Sequence, residues 1–165
     1  MVQLPAEAET PSGFNSSFAK IRQSDAGERS LVSSCAFSKD QVICKFFAGE
    51  ILSEANYLTL QTGLHQHILL EPAFLRYVNH SCDPNSFFDI NKMEFVAIKD
   101  IEEGEEFRFF YPSTEWIMES PFICNCHTAK CLGSISGAKF IDRKIIDTYK
   151  ISDFIKQQLS ADPHE

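Results

Sequence analysis

Residues 76 to 85, Arg76-Tyr-Val-Asn-His-Ser-Cys-Asp-Pro-Asn85, hold an amide, an imidazole, a thiol and a second amide between two mainly apolar stretches. A buried amide or imidazole without partners costs about 1–3 kcal/mol, so this stretch is either an exposed loop or a binding element. Downstream, Cys124-Asn-Cys126-His-Thr-Ala-Lys-Cys131 gathers three thiols in a short loop. Three soft ligands so close suit structural zinc, which is tetrahedral and takes four Cys or His ligands at about 2.0–2.3 Å. The fourth corner is either His127, sterically awkward beside Cys126, or the distant Cys82; free thiols are the alternative to a metal. Cys35 and Cys44 fall on strand-like stretches and read as ordinary buried cysteines.

The bulk of the chain sets the frame for that chemistry. At 165 residues it has the length of one domain, and 44% apolar with 12% aromatic residues is a globular composition. Fifteen phenylalanines imply a dense core or an aromatic-walled pocket. A net charge of −8 argues against gripping a nucleic-acid backbone, which needs clustered Lys and Arg. It suits a basic peptide or a small cation, although acidic surfaces also serve solubility alone. No apolar run reaches the roughly 18–20 residues needed to cross a bilayer. The stretch MVQLPAEAETPSG has neither a basic n-region nor an apolar h-region. The expectation is a monomeric intracellular protein, nuclear or cytoplasmic, with no membrane partner. Its six cysteines are then metal ligands or free thiols rather than disulfides.

The elements that must position these residues are short. Residues 1–17, rich in Pro, Ser, Ala and Glu, read as a loose arm. Leu31 to Phe37 and Gln41 to Phe47 are β-branched and aromatic and read as a hairpin split by Ser38-Lys-Asp40. Residues 53–61 suggest a short helix with Ser53 as N-cap. Leu64 to Leu70 reads as a half-buried strand, and Ala73 to Val78 as a short helix opened by Pro72. Asn85 to Ile90 and Glu94 to Ile98 read as strands about an Asn91-Lys92 turn. Phe107 to Tyr111 reads as a further strand stopped by Pro112. Ile141 to Leu159 carries helical apolar periodicity, with Asp142 or Ser152 as caps. The sum is an α+β, mainly β domain.

Three segments carry a resemblance. Arg76 to Asn85 is similar to the R-F-x-N-H-S-C-x-P-N motif of SET-domain lysine methyltransferases. Ile98-Lys-Asp-Ile-Glu-Glu-Gly-Glu-Glu-Phe107 resembles the family's R-D-I-x-x-G-E-E-L segment and leads into Phe109-Phe-Tyr111, where the family has its hydrophobic-Asp-Tyr ending. Cys124 to Gly133 matches the post-SET pattern C-x-C-x4-C-x-G. The resemblance covers roughly residues 20–137 and implies several small β-sheets around a threaded, knot-like segment. The implied organisation is a SET domain over 18–120, a post-SET zinc segment over 121–137 and a helical extension over 138–165. It further implies a zinc held by Cys82, Cys124, Cys126 and Cys131. Asn79 and His80 match the pair that binds S-adenosylmethionine, and Tyr111 matches the tyrosine at the methyl-transfer channel. Arg29, Ser30 and Leu31, in the stretch matching the family's N-terminal G-x-G segment, and Leu132 complete the implied cofactor-binding set.

The pattern departs at three points. Both glycines of G-x-G are replaced, by Glu28 and Ser30, with Gly27 one residue away. Phe110 stands where the family has Asp. The segment from Gly49 to Arg76, which forms one wall of the family's peptide groove, is short. The leading expectation is S-adenosylmethionine-dependent methylation of a protein lysine on a histone or other basic tail. The alternatives are a SET fold turned to a small-molecule substrate, and a catalytically silent scaffold.

Overall fold

The computed structural model describes residues 16–161, so most of the expected arm lies outside the described residues. The chain runs through β1 (Ala19–Gln23), β2 (Arg29–Ser33), β3 (Val42–Lys45), β4 (Phe47–Leu52), β5 (Thr59–Gly63) and β6 (Gln66–Glu71). A 3-10 turn at Ala73–Tyr77 precedes β7 (Asn79–His80), β8 (Ser86–Asp89), β9 (Glu94–Ala97) and β10 (Arg108–Phe109). β11 (Phe122–Ile123), β12 (Ser134–Ile135) and two helices, α1 (Arg143–Ile146) and α2 (Asp153–Ala161), complete it. The strands form two three-stranded sheets, ordered β4-β6-β5 and β3-β9-β8, and three pairs, β1-β2, β7-β10 and β11-β12. Among the described residues no strand exceeds six residues, and the two-stranded pairs, marginal on their own, are stabilised by the core they share.

Phenylalanine builds that core. Phe88 stacks on Phe95 at 4.5 Å and meets Phe46 and Phe109 edge-on at 5.5 and 4.9 Å. Phe107 meets Phe95 and Phe37 at 5.7 and 5.9 Å. Each buried ring contributes about 1.5–3 kcal/mol by leaving water. A second core joins the strand region to the C-terminal helices: Phe110 and Trp116 pack with Ala138, Ile146, Ile155 and Leu159. Asp142 accepts from the Lys144 backbone N–H at 2.8 Å and Ser152 Oγ from that of Ile155 at 3.2 Å. Both proposed caps are therefore used, one for each helix.

Two expectations are overturned by long-range pairing. β2 and β3 do not form a hairpin: β2 pairs with β1, and β3 with β9 through Val42↔Val96. The intervening turn is held by Phe37 and Ile101, which exchange backbone hydrogen bonds at 2.8 and 2.9 Å. The helix expected over 53–61 is absent. Residues 53–58 form bends and a turn, and Thr59 onward is strand. Its Leu60 is buried opposite Ile68 of β6, so sheet pairing overrides a weak helix propensity.

Candidate functional site

The polar stretch lies at the centre of the fold. β7 runs parallel to β10, with Asn79 beside Arg108 and His80 beside Phe109. Asn85 fastens the two segments: its Nδ2 donates to the Glu106 carbonyl at 2.9 Å and its Oδ1 accepts from the Arg108 N–H at 2.9 Å. The Asn79 amide donates to the Arg29 carbonyl and to Glu106 Oε1, each at 3.0 Å. The partners that a buried polar stretch requires are thus supplied from β2 and from the chain entering β10.

Phe110 separates β10 from Tyr111, which opens a 3-10 turn containing Pro112, so the strand ends before the expected Tyr111. Its hydroxyl donates to the Val78 carbonyl at 3.4 Å, and burial pushes its pKa up to about 12. The phenol is therefore neutral at every physiological pH. The Tyr111 backbone N–H donates to His80 Nδ1 at 3.2 Å. The His80 proton then sits on Nε2, 3.3 Å from Cys82 Sγ. Burial lowers the His80 pKa to about 4, so the ring is neutral. One imidazole thus links the Tyr111 backbone to a cysteine of the sulfur cluster.

That cluster joins Cys82, Cys124, Cys126 and Cys131, whose Sγ atoms all lie within 4.8 Å of one another, an arrangement that can hold a metal ion. Cys82 is fully buried and accepts from the Leu132 N–H at 3.4 Å. His127 is not part of the cluster. Cys35 and Cys44 are free, partly buried and packed against the main core.

A cavity of 620 Å³ opens beside the strands, and Arg29, Tyr77, Asn79, Tyr111, Glu115 and Phe122 all line it. Phe88, Phe109 and Phe122 give it aromatic walls, so phenylalanine serves both the core and the pocket. The Arg29 guanidinium donates to the Tyr77 hydroxyl at 3.0 Å. Ser30 and Leu31 are buried behind this surface and do not line it. Leu132 lines a second cavity, with Phe110 and Tyr149. Glu28 is exposed and does not line the first cavity, whereas Gly27, at φ +84° in the β1–β2 turn, does. The lost glycine motif therefore leaves the opening clear. Phe110 faces away from the cavity into the second core, stacked on Tyr149 at 3.8 Å and 8°. The helical extension thus explains an apolar residue where the family has Asp.

Tyr77 stands inside the Arg76–Asn85 motif without an assigned role, and Glu115 falls in none of the motifs. Glu115 is 9% exposed, and its Oε1 accepts from the Gln61 N–H at 2.9 Å. Gln61 Oε1 in turn accepts from the Trp116 N–H at 2.8 Å. Burial raises the Glu115 pKa to about 7, partly offset by the Gln61 and Thr114 hydrogen bonds. A carboxyl whose folded pKa lies above its unfolded value favours the fold at low pH; that advantage fades as pH rises from about 4.5 through 7. Glu115→Gln keeps Oε1 and removes the buried charge. It should be more stable than wild type by about 3 kcal/mol at pH 8 and equal to it at pH 4, as read by urea denaturation at the two pH values.

Comparison with known proteins decides the family. A model of the SET domain matches residues 28–112, about half of the chain. The chain belongs to the SET-domain family. It is 34% identical to methyltransferase flvH of Aspergillus flavus over 138 residues, covering 82% of this chain and 75% of that protein. It is 37% identical to histone-lysine N-methyltransferase ash1 of Drosophila melanogaster over 68 residues, 38% of this chain and only 3% of that protein. Among solved structures, KRYPTONITE in complex with mCHH DNA, H3(1-15) peptide and SAH is similar at a TM-score of 0.53 and 19% identity. That match covers 71% of this chain and 29% of that one, and supports the SET fold.

Proposed function

We propose that this SET-domain chain is an S-adenosylmethionine-dependent N-methyltransferase acting on a lysine-type primary amine of a histone or other basic protein tail. The observation that carries the reading is the single cavity shared by Arg29, Asn79 and Tyr111. When bound, S-adenosylmethionine supplies an electrophilic methyl group on a sulfonium. Arg29, Tyr77 and Asn79 would hold it along the β2–β7 edge. The neutral Tyr111 hydroxyl would orient the amine nitrogen, as a pre-positioned dipole does in a water-poor site. The Phe88, Phe109 and Phe122 walls would screen the reacting nitrogen, which arrives as an ammonium and passes its proton to bulk water before the neutral amine attacks.

The four cysteines fit zinc. Bonds of about 2.3 Å at tetrahedral angles separate the sulfurs by about 3.8 Å, and Cys82 Sγ and Cys124 Sγ stand 3.8 Å apart. The ion would tie the Phe122–Ile135 lobe to the strand that carries Asn79 and His80.

A small amine as substrate is the second reading. The match to flvH, named only as a methyltransferase, spans most of both chains, whereas the histone-lysine methyltransferase ash1 matches only over 68 residues, so the histone substrate rests on the shorter match. A cavity of this size is also in the range of small-molecule sites. The deciding experiment offers labelled S-adenosylmethionine with a histone H3 peptide and, separately, with free small amines. Label on the peptide supports the first reading and label on small amines alone supports the second. Transfer to neither, by zinc-loaded protein, overturns both.

A further inference from the structure

We infer that Glu115 is the receptor for the cationic nitrogen of the substrate, the residue that selects an ammonium group over a neutral group of the same shape. The inference rests on the methyltransferase reading and adds a residue that none of the motifs contains. Glu115 lies one turn after Tyr111, its N–H donating to the Tyr111 carbonyl at 3.0 Å, and both residues line the 620 Å³ cavity. Burying a carboxylate costs several kcal/mol unless a cation or several donors compensate. Oε1 has the Gln61 N–H and, at 3.5 Å, the Thr114 hydroxyl. Among the described residues, Oε2 accepts no hydrogen bond and Glu115 forms no ion pair. Of the cations lining the same cavity, Arg76 is paired with Glu71 and the Arg29 guanidinium donates to the Tyr77 hydroxyl.

A purely architectural role for Glu115, holding Gln61 against Trp116, needs Oε1 alone, and glutamine would perform it equally well. The remaining oxygen and the negative charge are unused by the fold, and they belong to a residue of the cavity wall. A primary ammonium supplies what is missing: a charge-assisted hydrogen bond to Oε2 and a counter-charge. The ammonium has two sources, the acceptor amine and the amino group of S-adenosylmethionine, and the inference assigns it to the acceptor.

The test is an NMR titration of the full, zinc-loaded chain with n-butylammonium chloride, with 1-butanol as the neutral isostere and S-adenosylhomocysteine as the cofactor probe. Wild type should bind n-butylammonium and not 1-butanol. Glu115→Gln should weaken n-butylammonium at least tenfold and leave S-adenosylhomocysteine unchanged. Glu115→Asp, which draws the charge back by one methylene, should weaken it as well. Equal n-butylammonium binding by Glu115→Gln and wild type overturns the inference. So does a loss confined to S-adenosylhomocysteine, which moves the carboxylate to the cofactor's amino group. If wild type binds n-butylammonium through Glu115 but no S-adenosylhomocysteine, the ammonium site stands and the methyltransferase reading falls.

Discussion

Tyr111→Phe should lower methyl transfer at least about 100-fold while S-adenosylhomocysteine binding and thermal stability stay at wild-type values. The magnitude follows from removing one pre-positioned donor in a desolvated site, which typically costs 10²–10³ in rate. The selectivity follows from the geometry. The Tyr111 hydroxyl makes a single long hydrogen bond, 3.4 Å to the Val78 carbonyl, so its loss removes little from the fold. The ring remains, and with it the packing against Phe109 at 4.8 Å and His80 at 5.2 Å. The backbone N–H that holds His80 Nδ1 is also untouched. Single-turnover assays beside calorimetric titration separate the two quantities. A variant that transfers methyl groups as fast as wild type would remove Tyr111 from the chemistry.

Cys82→Ser should have the larger structural effect. Its sulfur is fully buried, lies in the four-cysteine cluster and receives the Leu132 N–H. Its carbonyl accepts from the Tyr149 hydroxyl at 2.7 Å, so the same residue anchors the C-terminal extension. Zinc bound by a small structural site contributes on the order of 10 kcal/mol to folding. The variant should therefore lose its zinc, measured by inductively coupled plasma mass spectrometry, and should unfold at much lower urea. The consequence should extend to the cavity. His80 does not line the cavity itself but bridges Cys82 Sγ to the Tyr111 N–H, so displacement of the cluster should shift Tyr111, which does line it. S-adenosylhomocysteine affinity should fall along with zinc content. Zinc loss with unchanged affinity would show that metal lobe and cavity are independent.

Legibility differed among the parts of the site for physical reasons. The sulfur cluster is readable because thiols are few and three of them fall in one short loop. Cys82 was a candidate for its fourth corner because a polar stretch between apolar segments needs partners. Its approach to Cys124, 42 residues on, is confirmed only by folding. Glu115 was not readable. A glutamate between Thr114 and Trp116 follows no pattern, and its burial depends on Gln61, 54 residues away. The strand partners failed for the same reason. β-branched runs at 31–37 and 41–47 announce strands, but whether they pair with each other or with Ala19–Gln23 and Glu94–Ala97 is decided by the shared phenylalanine core. The caps at Asp142 and Ser152 and the 3-10 turn after Pro72 are local, and local chemistry was sufficient to locate them. Phe110 became intelligible only with Tyr149 stacked upon it.

The cavity lined by Arg29, Asn79 and Tyr111 is proposed to accept S-adenosylmethionine. A calorimetric titration of zinc-loaded protein with S-adenosylhomocysteine tests it most directly. Saturable binding of one molecule per chain, weakened when Asn79→Ala removes the amide that joins β2 to β7, is the predicted result. A folded, zinc-containing protein that takes up no S-adenosylhomocysteine would contradict it.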